Sequence, residues 1–257
     1  SVWERLDEPR PAFFRFLTLM GLQAMLEARV DVAVVEVGIG GRTDATNVFP
    51  REAVLACGVT AIGHDHQEVL GDSLAEIARE EAGICQRGVP ALTVPDQPPE
   101  AMHALLEHAR ALQLPLELVP PLHEYSPAPQ LGLAGRHQRS NAALALGLVR
   151  VVRGEPRPLA RDATLAEPDL RALAATRWAG RAQRLPLTPR VQLLLDGAHT
   201  PESMAAAAEW FARELAAAPS PRTALVFGCK SNRSPEALLR PLLETELPEP
   251  LSLVVLV

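Results

Sequence analysis

The stretch DVAVVEVGIGGRTDATN, residues 31–47, carries the first group that could do chemistry: Glu36 stands one residue before the end of the apolar, β-branched run 32–37. An ionised carboxylate left without a partner in an apolar interior costs on the order of several kcal/mol. Glu36 is therefore neutralised, paired with backbone N–H groups or an arginine, or aimed at a cation where the run ends. His64 and His66 in AIGHDHQEVLG are two apart, which puts both on one face of an extended chain. They read either as a structural or solvent-facing pair or as part of a metal-ligand set. Asp196 and His199 in LLLDGAHTPES follow another apolar run, and there Asp-Gly reads equally as turn chemistry ahead of a helix. In an open parallel α/β sheet the binding crevice lies outside the carboxyl ends of the strands, and all three clusters fall at such ends. GIGG, residues 38–41, matches the dinucleotide glycine pattern only in part and opens no helix directly.

The elements that must position these groups alternate in type. Residues 11–29 predict a buried helix with Phe13, Phe16, Leu17, Met20 and Ala24 on one stripe and Pro11 suited to its first turn. The run 32–37 predicts a buried strand, followed by a glycine turn and a second apolar run over 53–63. Ser73 and Glu76 form a capping box opening a helix whose end Gly83 weakens. A strand over 89–94, a helix near 99–113, a short strand over 116–119, a Pro- and Gly-punctuated loop over 120–135 and a helix over 138–152 follow. This alternation implies parallel pairing and a sheet covered on both faces.

Past a Pro-, Arg- and Gly-rich stretch over 154–168 and a short helix, a second unit begins near RWAGRAQRL. It holds a strand over 191–197 and a helix from Pro201, capped by Thr200, with a buried stripe of Met204, Ala208, Phe211 and Leu215. Strand TALVFG, a helix over 235–244 and the apolar run LSLVVLV complete it. A domain that stops inside an apolar strand is expected to be incomplete.

Composition bounds the function classes. The 257 residues are enough for a substantial core and two domains. No uninterrupted apolar run approaches the ~20 residues of a membrane-spanning helix. The net charge of -6 argues against a nucleic-acid partner, while a few arginines suffice for small anionic substrates. The 3 cysteines, Cys57, Cys85 and Cys229, form no C-x-x-C pair, so neither a disulfide framework nor a zinc site is favoured. Residues 1–10, SVWERLDEPR, lack the pattern of a targeting segment. Lys230 is the one lysine, so chemistry that needs a lysine elsewhere cannot run on this chain.

Five stretches in this order, VAVVEVGIGGRTDATN, DHQEVLGDSLAEIAREEAGI, LAGRHQRSNAALAL, RWAGRAQ and LLLDGAHTPES, resemble the folylpolyglutamate synthase family of the Mur-ligase superfamily, and FFRFLTLM near the start resembles its animal members. The resemblance implies an α/β fold: a parallel-sheet Mur-ligase-type central ATPase domain over 1–176, lacking its N-terminal phosphate-loop part, a linker over 177–184, and an incomplete Rossmann-like C-terminal domain over 185–257. It implies ATP-dependent addition of L-glutamate to the γ-carboxyl of a folate polyglutamate through an acyl phosphate, with Mg2+ and a monovalent cation such as K+. By the same resemblance Glu36 and His66 are the metal ligands and, with Arg181, the catalytic set. Asn141, Arg181, Asp196 and His199 are the ATP contacts, and Phe13, Phe14, Thr43, Asp44 and Ala45 the folate contacts. A monomer in the cytoplasm or mitochondrion is expected.

Three departures from the family pattern qualify this. The family's glycine-rich phosphate loop, with its lysine and serine, lies upstream of the first helix here. Glu81 in REEAGI stands where the family has a carbamoylated lysine that supports a second metal. Thr200 in DGAHT replaces the commoner asparagine. The chain as given is thus expected to be inactive, the alternatives being a non-catalytic remnant that acts as a binding module and a dihydrofolate synthase.

Overall fold

A computed structural model of the chain describes residues 11–157, 159–161, 164–218, 222–231 and 233–256. The reading of residues 1–10 lies outside these. The chain divides into two compact units. The first runs up to Leu118 and takes in Leu148–Glu155; the second is Val119–Gly147 with Pro156 onward.

The first unit is built on a three-stranded parallel sheet of β1 (Cys57–Val59), β2 (Ala91–Thr93) and β3 (Leu116–Leu118), in that order. Cys57 aligns with Ala91 and Ala91 with Leu116. All three residues of β2 are buried, as a central strand covered on both faces requires. Helices α3 (Leu74–Glu81) and α4 (Pro99–Ala111) pack against each other. Ile77 and Ala78 of α3 and Ala101, Ala104, Leu105 and Ala109 of α4 share one apolar cluster with Cys57, Val59 and Ala91. The Ser73–Glu76 capping box is formed in both directions, and a single 3-10 turn at Ala82–Ile84 follows where Gly83 weakens the helix. Beyond the sheet, the buried amide of Gln97 accepts from Ile62 N–H (2.9 Å) and donates to Thr60 O (2.6 Å) and Thr93 Oγ1 (2.9 Å), so its polar atoms are matched inside the core.

Two expectations for this unit are corrected. Helix α1 (Phe13–Ala28) forms, but none of its residues is buried; Phe13 is 78% exposed. The run 32–37 is not a strand among the described residues, and Val34 is 90% exposed. Both sequences carry the right apolar pattern. A pattern makes a buried element only where another element covers it, and a strand only where a neighbour shares its hydrogen bonds.

The second unit holds the N-terminal part of α5 (His137–Val152), α6 (Glu167–Ala175), a hairpin of β4 (Gln183–Thr188) and β5 (Val191–Leu195), α7 (Pro201–Ala216), and a parallel pair of β6 (Thr223–Phe227) and β7 (Leu251–Leu256) with α8 (Pro235–Glu244) between them. The β4–β5 pair is antiparallel. Only Pro189 and Arg190 join the two strands, and a connection that short permits a hairpin but no crossover. Helix α7 packs on α8. Its buried stripe is Met204, Ala208, Trp210 and Leu215; Phe211, expected inside, is only half-buried, and the indole one position earlier takes the interior place.

Candidate functional site

In the second unit a cavity of about 150 Å³ lies where the amino end of α5, the turn before β4, the carboxyl end of β5 and the first turns of α7 meet. His137, Gln138, Arg181, Asp196, His199 and Trp210 are among its walls. Its position past the last residue of β5 is the carboxyl-end location expected for Asp196 and His199.

Backbone demands shape the walls. Asp196 Oδ1 accepts from Ala198 N–H (2.8 Å) and Oδ2 from Ala182 N–H (2.7 Å), tying the turn after β5 to the turn before β4. Gly197 N–H adds a bond to Gly180 O at 2.8 Å. A Cβ on Gly197 would collide with the guanidinium of Arg181, so the absence of a side chain is what lets that cation lie against the turn. Ala182 is held at φ 44, the left-handed region that an L-residue enters at a cost of about 1–2 kcal/mol. Such strain persists only where neighbours over-determine it, and the Asp196 bond is one of them. Helix α7 opens with Pro201 behind an N-cap at Thr200, whose Oγ1 accepts from Ser203 N–H (3.2 Å). Ser203 Oγ in turn accepts from Thr200 N–H (2.9 Å) and His199 N–H (3.0 Å).

The two histidines differ. Burial of the His137 ring holds its pKa below the usual histidine range; Asp196 pulls it up and Arg181 pushes it down. The His199 ring has Nδ1 at 2.8 Å from Gly197 O. A carbonyl only accepts, so Nδ1 carries the proton in this contact. Together the walls offer a guanidinium, a carboxylate, two imidazoles and an indole. At about 150 Å³ the cavity is smaller than the ~300–1,000 Å³ that encloses a drug-sized ligand, so it takes one portion of such a molecule.

Of the four expected ATP contacts, Arg181, Asp196 and His199 converge on this cavity. Asn141 is not in its wall, but its amide donates to Gln138 Oε1 at 3.2 Å, and Gln138 is. The motif reading passed over His137. Its signal was present: His137 and Asn141 are four apart at the start of a helix and so lie on one face. Trp210 carried no comparable signal, since an aromatic in an apolar stripe reads as core.

The first unit holds the expected metal and folate residues. Glu36 is exposed. His66 begins the short helix α2 (Gln67–Leu70) at φ 52, a strained backbone for a side chain, with its ring 3.8 Å from Asp65 and 3.9 Å from Glu68. Among the described residues no three His, Cys, Asp or Glu side chains gather closely enough to cage a metal ion. Magnesium keeps waters and phosphate oxygens and takes one or two carboxylates, so the Glu36 carboxylate suits it while the His66 imidazole is an unusual ligand for it.

The glycine turn 38–41 is pinned firmly. Asp44 accepts from Ile39 N–H (3.2 Å), Thr46 N–H (2.8 Å) and Thr46 Oγ1 (2.6 Å). Burial raises the Asp44 pKa, but these bonds outweigh it and leave the carboxyl below its usual range. Asn47 Nδ2 donates to Gly41 O (3.0 Å) and Gly83 O (3.2 Å). Gly38 lies under the Phe14 ring and 3.0 Å from Asp44 Oδ2, measured from where a Cβ would stand. Phe14 and Asp44 thus both lie against Gly38, while Phe13 is exposed; Thr43 is exposed and Ala45 half-buried. Glu81 Oε1 accepts from Gly40 N–H at 3.3 Å, and burial pushes its pKa above the usual carboxylate range, helped by Asp44 and opposed by His66.

No family model matches the chain. Curated proteins do. It is 42% identical over 223 residues to folylpolyglutamate synthase of Arabidopsis thaliana, an alignment covering 81% of this chain and 38% of that protein. It is 39% identical over 272 residues to the mitochondrial folylpolyglutamate synthase of Homo sapiens, covering 93% of this chain and 46% of that one. This chain is a relative of the folylpolyglutamate synthases. It spans less than half the length of these two relatives. Among solved structures, folylpolyglutamate synthase of Mycobacterium tuberculosis, complexed with ADP and AMPPCP, superposes with a TM-score of 0.72 at 29% identity over 96% of this chain and 57% of that chain. The α/β architecture with its parallel sheets is therefore that of the folylpolyglutamate synthases and their Mur-ligase fold.

Proposed function

We propose that the second-unit cavity binds one end of ATP and that the chain is the portion of a folylpolyglutamate synthase that orients nucleotide and folate for glutamate addition. The observation that carries this is the meeting of Arg181, Asp196, His199 and His137 around one cavity in a relative of these ligases. The proposed reaction transfers the γ-phosphoryl of ATP to the folate γ-carboxylate, and the glutamate amine then displaces phosphate from the acyl phosphate. Arg181 offers a fixed cation to phosphate oxygens, a task its planar fork suits. The Asp196 carboxylate offers acceptors to the nucleoside, the His199 ring lines the same cavity, and Trp210 adds an apolar wall. Asn141 orients Gln138 at the rim.

In the first unit, Glu36 and His66 are proposed to hold a magnesium ion, which supplies charge neutralisation between the two anions. A monovalent cation such as K+ is proposed alongside. The pinned turn from Gly38 to Asp44, with Phe14 against it, is proposed to receive the pterin. The division at 177–184, the monomeric state and a cytoplasmic or mitochondrial location belong to the same proposal.

A nucleotide- and folate-binding module without turnover is the second reading. It is favoured by Glu81, a carboxylate committed to the Gly40 N–H where the family pattern has a lysine. Calorimetric titration with AMPPCP tests the shared claim. Saturable binding weakened by Arg181→Ala is expected; no binding by the intact chain would refute both readings. ATP-dependent lengthening of a folate by this chain would refute the second.

A further inference from the structure

The turn Asp196–Thr200 is bonded into its surroundings from several sides: by Gly180 and Ala182 ahead of β4, by Ser203 in α7, and by a residue far along the chain. That residue is Arg233, in the loop between β6 and α8, whose Nη1 donates to the carbonyl of His199, 34 positions earlier. Arg233 N–H also donates to Lys230 O at 3.0 Å. Beneath it, Ala198 and Cys229 pack on the apolar cluster of Met204, Phe227 and Leu238. The loop and the turn thus share both a polar clamp and an apolar floor.

The clamp acts on the residue whose ring matters. With its N–H held by Ser203 Oγ and its carbonyl held by Arg233, His199 has both flanking peptide groups restrained. Its ring is then kept over Gly197 O, which selects the Nδ1-protonated tautomer. A cationic donor to a carbonyl is roughly twice as strong as a neutral one.

We propose that Arg233 is a positioning residue of the nucleotide site: by clamping the His199 carbonyl it holds the imidazole in one tautomer and the start of α7 in the arrangement that meets the ligand. This rests on reading the cavity as the nucleotide site. Arg233 acts through His199 and is not itself assigned to the ligand.

The test uses the chain with isotope-labelled histidine and the variants Arg233→Gln and Arg233→Lys. In the unaltered protein, long-range proton–nitrogen spectra are expected to give His199 as a single Nδ1-protonated form. Arg233→Gln is expected to mix the two tautomers and to weaken ADP binding about tenfold, the loss of one charge-assisted bond. Arg233→Lys keeps a cationic donor and is expected to restore the tautomer and most of the affinity; it also decides the matter if Arg233→Gln melts the second unit. An unchanged His199 tautomer in Arg233→Gln would overturn the inference whatever the affinity. Failure of ADP to bind the unaltered protein would overturn the nucleotide reading itself, while the tautomer spectra still decide the clamp.

Discussion

Removing the charge of Asp196 should move a histidine it does not bond. Asp196 pulls the His137 pKa up, against burial and Arg181. Asp196→Asn keeps the size and one acceptor oxygen but abolishes the charge, so the His137 pKa should fall further below the histidine range. The same change weakens two bonds, to Ala182 N–H at 2.7 Å and Ala198 N–H at 2.8 Å. A charge-assisted bond is worth about 1.5–3 kcal/mol when sheltered. Asp196 is exposed, so solvent reduces this, and roughly 1 kcal/mol is expected for Asn and about 2 kcal/mol for Ala, where both bonds vanish. For a unit of this size that lowers the melting midpoint by roughly 3–8 °C. The assay is a proton NMR titration of His137 in both proteins, with thermal unfolding alongside. A His137 pKa that stays put or rises in Asp196→Asn would refute the electrostatic account of the cavity.

Three further expectations follow from particular residues. Ala182→Gly removes the left-handed strain at φ 44 and should leave the second unit no less stable, with a gain of up to about 1 kcal/mol; a clear loss in thermal unfolding would show that the Ala182 methyl packs in a way this reasoning omits. His137 and His108 are both depressed in the folded chain by burial. In the window below 6.5, the ordinary histidine value, the unfolded chain binds more protons; their contribution is complete above it and lost as pH falls toward the depressed folded values. Stability that is flat from pH 7 to 5 would contradict this. Cys57 and Cys85 are buried, and the bond that the Cys85 thiol donates to Cys57, together with burial, pushes the Cys85 thiol up, whereas Cys229 is half-buried. Iodoacetamide should therefore modify Cys229 first, and equal rates at all three thiols by mass spectrometry would argue against the packing of the first unit.

The parts of the fold legible in the sequence were those governed by local chemistry. Ser73 with Glu76, and Thr200 with Pro201, mark helix starts because a side-chain oxygen must meet the free N–H groups there, and both starts occur as expected. Strand β2 was readable because a short apolar run between turn residues has few alternatives. The errors arose where an outcome depends on a distant partner. Residues 32–37 and the apolar stripe of α1 carry the pattern of buried elements but lack cover among the described residues. Strand β4 went unseen because Gln183–Thr188 has no strong alternation and pairs only through its two-residue turn to β5. In the cavity, Asp196 and His199 were legible as polar groups at a strand end, and Arg181 entered through family resemblance. Arg233 was not legible at all, because a guanidinium reaching a backbone carbonyl 34 positions away leaves no mark in local sequence.

The central claim is that the cavity bounded by His137, Arg181, Asp196 and His199 is where nucleotide binds. The most direct measurement is a proton–nitrogen chemical-shift titration of the labelled chain with ADP. Saturable shifts concentrated in residues 134–138, 180–182 and 196–203 are the expected result. Saturable shifts confined to the turn 38–47, or none at millimolar ADP, would contradict it.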